Sequence, residues 1–409
     1  MAAVTVRSDM GDFSDENRPV FPFDIPASID VVPEFERLRS DDPVTRVRLA
    51  TGGEAYLVTR YEDVRRVYAD PVFSRARLVD PDQPVLLPGN KLPHVLVNTD
   101  PPEHTRLRKL VTRAFTARAV ERLRPRVTEL ADDLVDGLLE VGPPADLVAT
   151  FALPLPAGVI ADLMGVPSDD VHRLQHWLEH ILSVSAHTAE ETETALGELT
   201  AYLSQLVTDR RKNPGDDLTS ELIQVRDEGD RLSETELIFL LHLLLAGGFE
   251  TTATLLPNAL ITLFRHRDQW ERLREEPTLV PTAVEELLRY VPITRSGLER
   301  VATEDVVLSG VTVPAGSTVL PLVNAAHFDP AYVDDPRRLD VARPPSAHLG
   351  FGHGIHHCVG ASLGRLELTT ALHTLVTRLP YLRLAVPEAA VTWKQGLITR
   401  GPLTLPITW

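Results

Sequence analysis

Residues 351–360 read Phe-Gly-His-Gly-Ile-His-His-Cys-Val-Gly, and this segment is the richest of the chain in residues that could carry chemistry. It holds the one cysteine of the sequence, Cys358, and three glycines, which let a backbone approach a neighbouring group closely. A last helix is predicted from about 359 to 379, so Cys358 lies at its start. Because a helix N-terminus stabilises a thiolate, Cys358 is predicted to be a metal ligand or a nucleophile.

The residues around Cys358 leave more than one chemistry open. Three histidines lie beside it, but their spacing is not that of a tetrahedral zinc site. A single cysteine excludes an internal disulfide and fits a reducing compartment. A buried structural cysteine would not need so many glycines. A hydrolase with Cys358 as nucleophile and His356 or His357 as base remains an alternative.

A second unusual stretch, residues 246–252, reads Ala-Gly-Gly-Phe-Glu-Thr-Thr inside an apolar helix predicted over 234–265. Each glycine within a helix costs about 1 kcal/mol relative to alanine. A buried glutamate adds a desolvation cost. Such locally unfavourable residues in a buried element indicate a function. The alternative is a kink in which threonine hydroxyls bond the previous turn.

The two stretches together resemble the cytochrome P-450 family in its soluble bacterial form. The first is similar to the haem-binding loop of that family, and the second to its distal helix. The resemblance implies that Cys358 is the axial ligand of the iron of haem b, where the thiolate favours O–O cleavage. It also implies that Glu250 and Thr251 are the catalytic acid–alcohol pair, which delivers protons for activation of the co-substrate O2.

The same resemblance assigns further haem contacts. Gly247 and Gly248 would make room for dioxygen, Phe351 would pack beside the sulfur, and the backbone N–H near Gly360 would bond the thiolate. Four side chains would bind the haem propionates through charge-assisted hydrogen bonds, which are the strong kind: His104, Arg108, Arg300 and His356.

Glu286 and Arg289 are three residues apart on a helix predicted over 278–290. As an exposed pair they would contribute only about 0.2–0.5 kcal/mol. The resemblance implies instead that the pair is buried and meets a second arginine, for which Arg338 is the candidate. All three residues are expected to be structural.

The rest of the sequence predicts a mainly α protein with small β-sheets (α+β). The resemblance implies that haem lies between the long distal helix on one side and the cysteine loop with the last helix on the other.

In residues 44–49, apolar and polar side chains roughly alternate, which predicts a strand, and Gly52-Gly53 then predicts a hairpin. Strand signals return over 301–319. No linker divides the chain, so we expect one domain over 21–409 after a flexible segment 1–20. Helical periodicity marks 119–140, 155–164, 168–185 and 189–211.

Composition excludes several functions. The chain has 409 residues, with 58 acidic and 41 basic side chains and a net charge of −17. This charge argues against general binding to nucleic acid or anionic membranes. The apolar run 237–248 is shorter than the roughly 18 uncharged residues of a membrane span, and the polar N-terminus does not resemble a signal peptide. We therefore expect a cytoplasmic monomer without a membrane anchor.

Residues 104–126 depart from the acidic average. They hold eight Lys or Arg and one acidic residue. Monooxygenation requires two electrons, and the chain has no room for a flavin or nicotinamide domain. The prediction is that electrons come from NAD(P)H through a ferredoxin reductase and an acidic ferredoxin, which docks at Arg106, Lys109 and Arg113.

The resemblance places substrate specificity in variable segments, here 77–98, 168–205, 292–298 and 396–398. The candidates for contact with a small-molecule substrate are Leu86, Leu87, Val95, Phe249, Ile293, Arg295 and Leu397. Among them, Arg295 is expected to pair with a polar or anionic substrate group.

The chain is similar to actinomycete enzymes that tailor macrolides and other polyketides, an analogy that fold alone does not prove. The leading hypothesis is hydroxylation or epoxidation of a medium-to-large apolar secondary metabolite in antibiotic biosynthesis. An alternative is oxidative coupling or cyclisation of a peptide, aromatic or carrier-bound substrate without oxygen insertion. A non-catalytic haem sensor is a third hypothesis, and the proton-delivering pair argues against it.

Overall fold

The computed structural model describes residues 18–23, 28–30, 32–86, 91–93, 95–183, 186–229, 232–294, 296–397 and 399–409. Helices dominate, and the predicted fold class is confirmed. The α-helices are α1 (Pro33–Asp41), α2 (Tyr61–Ala69), α3 (Glu103–Thr112), α4 (Ala117–Glu121), α5 (Arg124–Val141), α6 (Pro154–Met164), α7 (Val171–Ile181), α8 (Ala189–Lys212), α9 (Leu218–Gly229), α10 (Glu234–Arg265), α11 (Arg267–Glu275), α12 (Val280–Tyr290), α13 (Val323–Ala326) and α14 (Ala361–Arg378).

The strands are short and form three sheets. They are β1 (Val20–Phe21), β2 (Val44–Leu49), β3 (Glu54–Val58), β4 (Phe73–Ser74), β5 (Ala145–Asp146), β6 (Arg300–Ala302), β7 (Val306–Leu308), β8 (Val311–Val313), β9 (Thr318–Pro321), β10 (Arg383–Leu384) and β11 (Pro406–Thr408). The largest sheet has the order β1-β2-β3-β9-β6-β4, and the others are β10-β11-β5 and β7-β8. The predicted hairpin is β2–β3, with Val44 opposite Val58. Strand β3 also pairs in parallel with β9, which joins this hairpin to a strand much later in the sequence.

Helix α10 is the centre of the helical core. It begins with a capping box, in which Ser233 and Glu236 bond each other's backbone N–H groups. By length and composition it could cross a membrane, but 67% of its most apolar 18-residue window is buried inside the protein. It packs against α6, α8 and α14, so its apolar surface is used within the fold.

Two predicted helices are divided or shortened. The helix expected over 119–140 is split into α4 and α5, because Pro125, which lacks a backbone N–H, stands in the first turn of α5. The helix expected over 168–185 starts as a 3₁₀ turn and continues as α7 only to Ile181. The expected flexible segment 1–20 lies mostly outside the described residues and stays a prediction.

Candidate active site

The cysteine loop is fixed by its own backbone. The N–H of Cys358 donates to the carbonyl oxygen of Phe351 at 2.8 Å and closes the loop just before α14. Gly352 and Gly354 have φ values of +72° and +70°, a region that side chains disfavour. A Cβ at Gly354 would also overlap the carbonyl oxygen of Tyr68. The glycines therefore let the loop press against α2 while the side chain of Cys358 stays accessible.

Cys358 lies deep among protein atoms although its side chain is accessible. Burial raises the pKa of its thiol, while the backbone N–H of Gly360 and the charges of Arg108 and Arg365 lower it in part. The direction of this effect agrees with the predicted hydrogen bond from the N–H near Gly360, which stays a prediction. Coordination to a metal removes the thiol proton outright, so these groups would stabilise a metal-bound thiolate.

Phe351 packs against the charged side chain of Arg365, whose guanidinium carbon lies 4.6 Å from the ring centroid. Arg365 in turn donates to Glu285 at 2.7 Å, and the same carboxylate lies 3.1 Å from His348. Burial alone would raise the pKa of Glu285, but the bonds to His348 and Arg365 lower it to about 2. The ionised carboxylate of Glu285 therefore fixes His348 and Arg365, which lie on either side of Phe351 in the sequence.

Three predicted propionate ligands come together beside the cysteine loop. The rings of His104 and His356 have centroids 4.3 Å apart. Within the described part of the chain, the buried atoms His104 Nε2, His356 Nε2 and Arg300 Nη2 have no hydrogen-bond partner. Leaving a buried polar group unpaired costs about 1–3 kcal/mol. Three such atoms in one place indicate a site for an oxygen-rich anionic group.

The charge of this cluster supports the same conclusion. Burial, together with the charge of Arg300 and other neighbours, lowers the pKa of His356 to about 2. Burial and the charge of Arg75 lower the pKa of Arg300 to about 9. His356 is therefore neutral at pH 7, while Arg300 remains a cation whose charge is poorly solvated. The sequence analysis missed Arg75, which is fully buried and donates to the carbonyl oxygens of Val97 and Glu299, each at 2.8 Å.

The fourth predicted propionate ligand, Arg108, has a different partner here. Its Nη2 donates to the carbonyl oxygen of His357 at 2.5 Å, next to Cys358. Helix α3 is therefore attached directly to the cysteine loop.

Helix α10 has an exposed stripe in an otherwise buried stretch. Gly247 and Thr251 are exposed and lie four residues apart, hence on one helix face. The half-buried residues Leu243 and Ala246 lie on the same side, and the sequence analysis missed both. The hydroxyl of Thr251 donates to the carbonyl oxygen of Gly247 at 2.8 Å, and a Cβ at Gly247 would meet nothing within 4 Å. This stripe lines open space.

Gly248 and Phe249, which lie between Gly247 and Thr251 in the sequence, face away from the exposed stripe. A Cβ at Gly248 would lie 2.8 Å from Cδ1 of Ile160 on α6. Phe249 is 4% exposed and packs with Ile160 and Leu174, on α6 and α7. Successive helix residues point about 100° apart, so positions 248 and 249 turn away from the stripe. Gly248 and Phe249 therefore serve helix packing, and their predicted contacts with the cofactor and the substrate stay predictions.

Glu250 is 7% exposed and is held through one oxygen. Its Oε1 accepts hydrogen bonds from Thr254 at 3.0 Å, from Thr399 at 2.8 Å and from the Nζ of Lys394 at 2.6 Å. Thr254 lies one turn further along α10. Lys394 and Thr399 come from a segment more than 140 residues away, and no local pattern could have identified them.

The predicted Glu286–Arg289 pair is buried, with two bonds of 2.7 and 2.8 Å. The second arginine is Arg343, whose Nε lies 3.1 Å from Glu286, and the prediction of Arg338 is wrong. The side chain of Arg338 is 66% exposed and faces Asp340 instead. The backbone between Arg338 and Arg343 folds back on itself, since the side chain of Arg343 also donates to the carbonyl oxygen of Arg338.

The substrate candidates separate into two groups. Leu86 belongs to a core cluster beneath the large sheet and is corrected to a packing residue, while Val95 is buried near α3. Ile293 and Leu397 belong to contacts of the C-terminal segment: the backbone N–H of Arg400 donates to the carbonyl oxygen of Ile293, and Leu397 pairs with Ser183 after α7. Their predicted contact with substrate stays a prediction. Two further candidates lie outside the described residues: Leu87 and Arg295.

Comparison with known proteins agrees with this geometry. The family model "Cytochrome P450" matches residues 158–385. The chain is 46% identical to mycinamicin IV hydroxylase/epoxidase of Micromonospora griseorubida over 390 residues, 95% of this chain and 98% of that protein. It is 46% identical to nocardicin C N-oxygenase of Nocardia uniformis subsp. tsuyamanensis over 391 residues, again 95% and 98% of the two chains. Among solved structures, the LnmA cytochrome P450 hydroxylase of Streptomyces atroolivaceus superposes with a TM-score of 0.89 at 46% identity, covering 96% of this chain and all of that one.

The chain therefore belongs to the cytochrome P450 family, whose members are haem-iron enzymes that use O2. Its own residues fit that cofactor. An accessible cysteine lies on a closed loop, three unpartnered buried donors lie beside it, and a small-residue stripe lies on the long helix. This arrangement is poorly suited to a cysteine hydrolase, because burial disfavours His356 as a charged partner of the thiol.

Proposed function

We propose that this enzyme hydroxylates or epoxidises a medium-to-large apolar secondary metabolite of the macrolide or polyketide type. One observation carries the proposal: an accessible Cys358 lies beside the orphaned donors of His104, His356 and Arg300. The names of the relatives, which include a mycinamicin hydroxylase/epoxidase and an N-oxygenase of nocardicin C, support oxygenation of natural products.

The residues that would hold haem follow from the site. Cys358 would bind the iron, and Gly360 would stabilise the thiolate through its N–H. The cluster of His104, His356 and Arg300 would bind the propionates, which would supply the missing hydrogen-bond acceptors. Bound in this way, haem supplies the activation of O2 that monooxygenation requires.

Glu250 and Thr251 would support proton delivery from the α10 side. Thr251 is exposed on the stripe, so its hydroxyl oxygen can accept a hydrogen bond from a group in the open space, and its proton can be donated there once it leaves the carbonyl oxygen of Gly247. Glu250 is nearly buried and, when ionised, can accept a proton and pass it on after reorientation. Because Gly247 has no side chain, it leaves open space beside Thr251 that a small molecule can occupy.

Labelled dioxygen tests the reaction type. Mycinamicin IV is the first probe, because one relative is named for it. Binding is read from the spin-state shift of the haem spectrum, and compounds of other classes are screened in the same way. We expect the product to gain one ¹⁸O atom from ¹⁸O2. A product that loses two hydrogens without gaining label would instead establish coupling or ring closure. Cys358→Ser is expected to abolish the activity.

Electron supply is the second part of the proposal. Arg106, Lys109 and Arg113 are exposed on or just after α3, and Arg108 of the same helix bonds the cysteine loop. We propose that an acidic ferredoxin, reduced from NAD(P)H by a reductase, docks on this face of a cytoplasmic monomer. Arg106 also pairs with Glu236, so Lys109 and Arg113 are the better test.

The Lys109→Glu/Arg113→Glu variant should lower ferredoxin-driven turnover and flatten its salt dependence, because steering between opposite charges is screened by salt. Arg383→Glu is the matched control and should leave both unchanged, because Arg383 is exposed beside the C-terminal end of α10, where Arg267 bonds Leu382, whereas Arg106 pairs with Glu236 at the other end of the helix. Unchanged turnover and salt dependence in the double variant would contradict docking at this face.

A further inference from the structure

Residues 348–351 lead into the cysteine loop, and two imidazole rings accept backbone N–H groups of this segment. The N–H of Leu349 donates to Nε2 of His327 at 2.8 Å. The N–H of Gly350 donates to Nδ1 of His348 at 3.1 Å. Two successive amides of an irregular segment are therefore held by side chains and not by a helix or a sheet.

These bonds decide which nitrogen of each ring carries the proton, because a ring nitrogen that accepts a hydrogen bond has no proton of its own. His327 accepts at Nε2, so its proton lies on Nδ1. Burial lowers the pKa of His327 well below its usual value, and this ring is therefore neutral. His348 accepts at Nδ1, so its proton lies on Nε2, which faces Oε2 of Glu285 at 3.1 Å. The two rings are thus opposite tautomers.

Both histidines are attached to α12. The carbonyl oxygen of His327 accepts a hydrogen bond from Arg289 of that helix at 3.1 Å. The ring of His348 bonds a carboxylate of the same helix. A Cβ at Gly350 would lie 2.7 Å from the carbonyl oxygen of Leu288, so the segment itself presses against α12. The entry of the cysteine loop is therefore fixed to α12 by two rings and one close backbone approach.

The held amides are connected to the sulfur through the backbone. They lie directly before Phe351, whose carbonyl oxygen accepts the N–H of Cys358 at 2.8 Å. The N–H of Gly352 also donates to the carbonyl oxygen of Leu349 at 2.8 Å, so the held segment and the loop share a hydrogen bond. A shift of Leu349 or Gly350 would therefore move the group on which the loop closes.

We propose that His327 and His348 are positioning residues for Cys358. As opposite tautomers they hold two successive amides of the segment 348–351, and this fixes the carbonyl oxygen that anchors the backbone of the cysteine. Their effect on the metal ligand passes through the backbone of the loop. This role rests on the proposed binding of iron by Cys358, and it adds the side chains that keep the sulfur in place.

Asparagine and glutamine substitutions test the two tautomers separately. The side-chain amide of glutamine reaches the place of Nε2, whereas that of asparagine reaches the place of Nδ1, and each offers an acceptor oxygen. His327→Gln should therefore keep the acceptor for Leu349, and His327→Asn should lose it. At the other ring the order is reversed, so His348→Asn should keep the acceptor for Gly350 and His348→Gln should lose it. The two variants of each pair are matched in charge and polarity.

The first readout is hydrogen–deuterium exchange of the holoenzyme, resolved at single amides. We expect exchange at Leu349 to be at least about fivefold faster in His327→Asn than in His327→Gln, since fivefold corresponds to about 1 kcal/mol, the lower limit for an unpaired buried amide. Exchange at Gly350 should be at least about twofold faster in His348→Gln than in His348→Asn, a smaller factor because this bond is exposed.

The second readout is the persistence of the thiolate-ligated spectrum of the reduced holoenzyme with carbon monoxide during mild heating. The variants without an acceptor should lose this spectrum at least about twofold faster than their partners, because loss of the ligand requires the same local opening as exchange.

Phe328→Leu is the control for this comparison. Phe328 is buried directly after His327 and packs on Tyr290, but its side chain has no polar atom that could hold an amide. This variant should leave exchange at Leu349 and Gly350 within about twofold of the parent, the factor below which a lost hydrogen bond is not indicated.

Equal exchange in the asparagine and glutamine variants of a position would overturn the role of that histidine. Faster exchange in the expected variants with an unchanged persistence of the spectrum would overturn the link to the sulfur. Should one variant fail to fold, the pair at the other position decides between these results.

The same measurements separate this role from the proposed function. A parent holoenzyme without a thiolate-ligated spectrum would contradict the proposed function, whatever the exchange data show. A normal parent spectrum with no effect in any histidine variant would contradict only the positioning by His327 and His348.

Discussion

The cysteine side of the site and the α10 side are built in different ways. On the cysteine side, residues 351–360 form a closed loop, and its supports lie on α12 and α14 and in the segment between them. On the α10 side, the exposed stripe belongs to one helix, but the carboxylate of Glu250 is held by Lys394 and Thr399, from a segment near the C-terminus. The ligand loop of the cysteine side is thus encoded in contiguous sequence, although its cluster of unpartnered nitrogens draws on His104 of α3 and Arg300 of β6. On the other side, the carboxylate itself depends on contacts from distant residues.

The largest effect is expected on the cysteine side. Arg289→Leu leaves Glu286 buried with only Arg343 as cationic partner, which should destabilise the protein by about 3–5 kcal/mol. The measurement is the denaturant midpoint of the holoenzyme, together with its haem content. Arg338→Leu is the control and should lie within about 0.5 kcal/mol of the parent, because this side chain is exposed. Equal losses in the two variants would contradict the assignment of Arg343.

The two sides meet at Glu367 of α14, which is 1% exposed and accepts a hydrogen bond from Thr252 of α10 at 3.0 Å. Burial raises the pKa of Glu367 to about 8, while the bond from Thr252 opposes the shift. The folded state therefore binds this proton more tightly than the unfolded state does. Its contribution to stability is present at acidic pH and declines between about pH 4.5 and 8, by up to about 1.4 kcal/mol per pH unit.

Glu367→Gln should remove this decline, since an amide does not ionise. We expect the variant to gain stability relative to the parent as the pH rises from 5 to 8, measured by denaturant unfolding at each pH. A stability difference that stays constant across this range would show that Glu367 is not held neutral between the two helices.

A smaller effect distinguishes the two glycines of α10. Gly248→Ala gains helix propensity but places a methyl group 2.8 Å from Ile160, so we expect a net loss of about 1 kcal/mol. Gly247→Ala meets no neighbour and should gain up to about 1 kcal/mol. Thermal unfolding of the two variants measures the difference. A destabilised Gly247→Ala with a neutral Gly248→Ala would reverse the assignment of the stripe.

The sequence predicted the parts of the site that depend on local order. The cysteine loop and the positions of Glu250 and Thr251 on α10 follow from residues close together in the chain. The family resemblance, and not the spacing, predicted that the Glu286–Arg289 pair is buried. Arg343 was missed because four residues of irregular backbone separate it from Arg338, and only the folded turn decides which arginine points inward. Lys394 and Arg75 were missed for a related reason: a single charged residue has no periodicity that reports its partner.

The substrate side was the hardest to predict. Phe249 and Leu86 are apolar residues in segments near the site, but the structure uses both for packing. Leu243 and Ala246 line the open stripe although their identities are ordinary for a core helix. A buried face and a cavity-lining face of one apolar helix have similar composition, so only the packing of its neighbours separates them.

The absorption difference spectrum of the reduced holoenzyme with carbon monoxide tests the central claim most directly. A strongly red-shifted Soret band, the signature of thiolate ligation, is the predicted result, and it should be lost in Cys358→Ser. A histidine-ligated spectrum, or a folded protein that binds no haem when supplied with it, would contradict the assignment of Cys358 as the iron ligand.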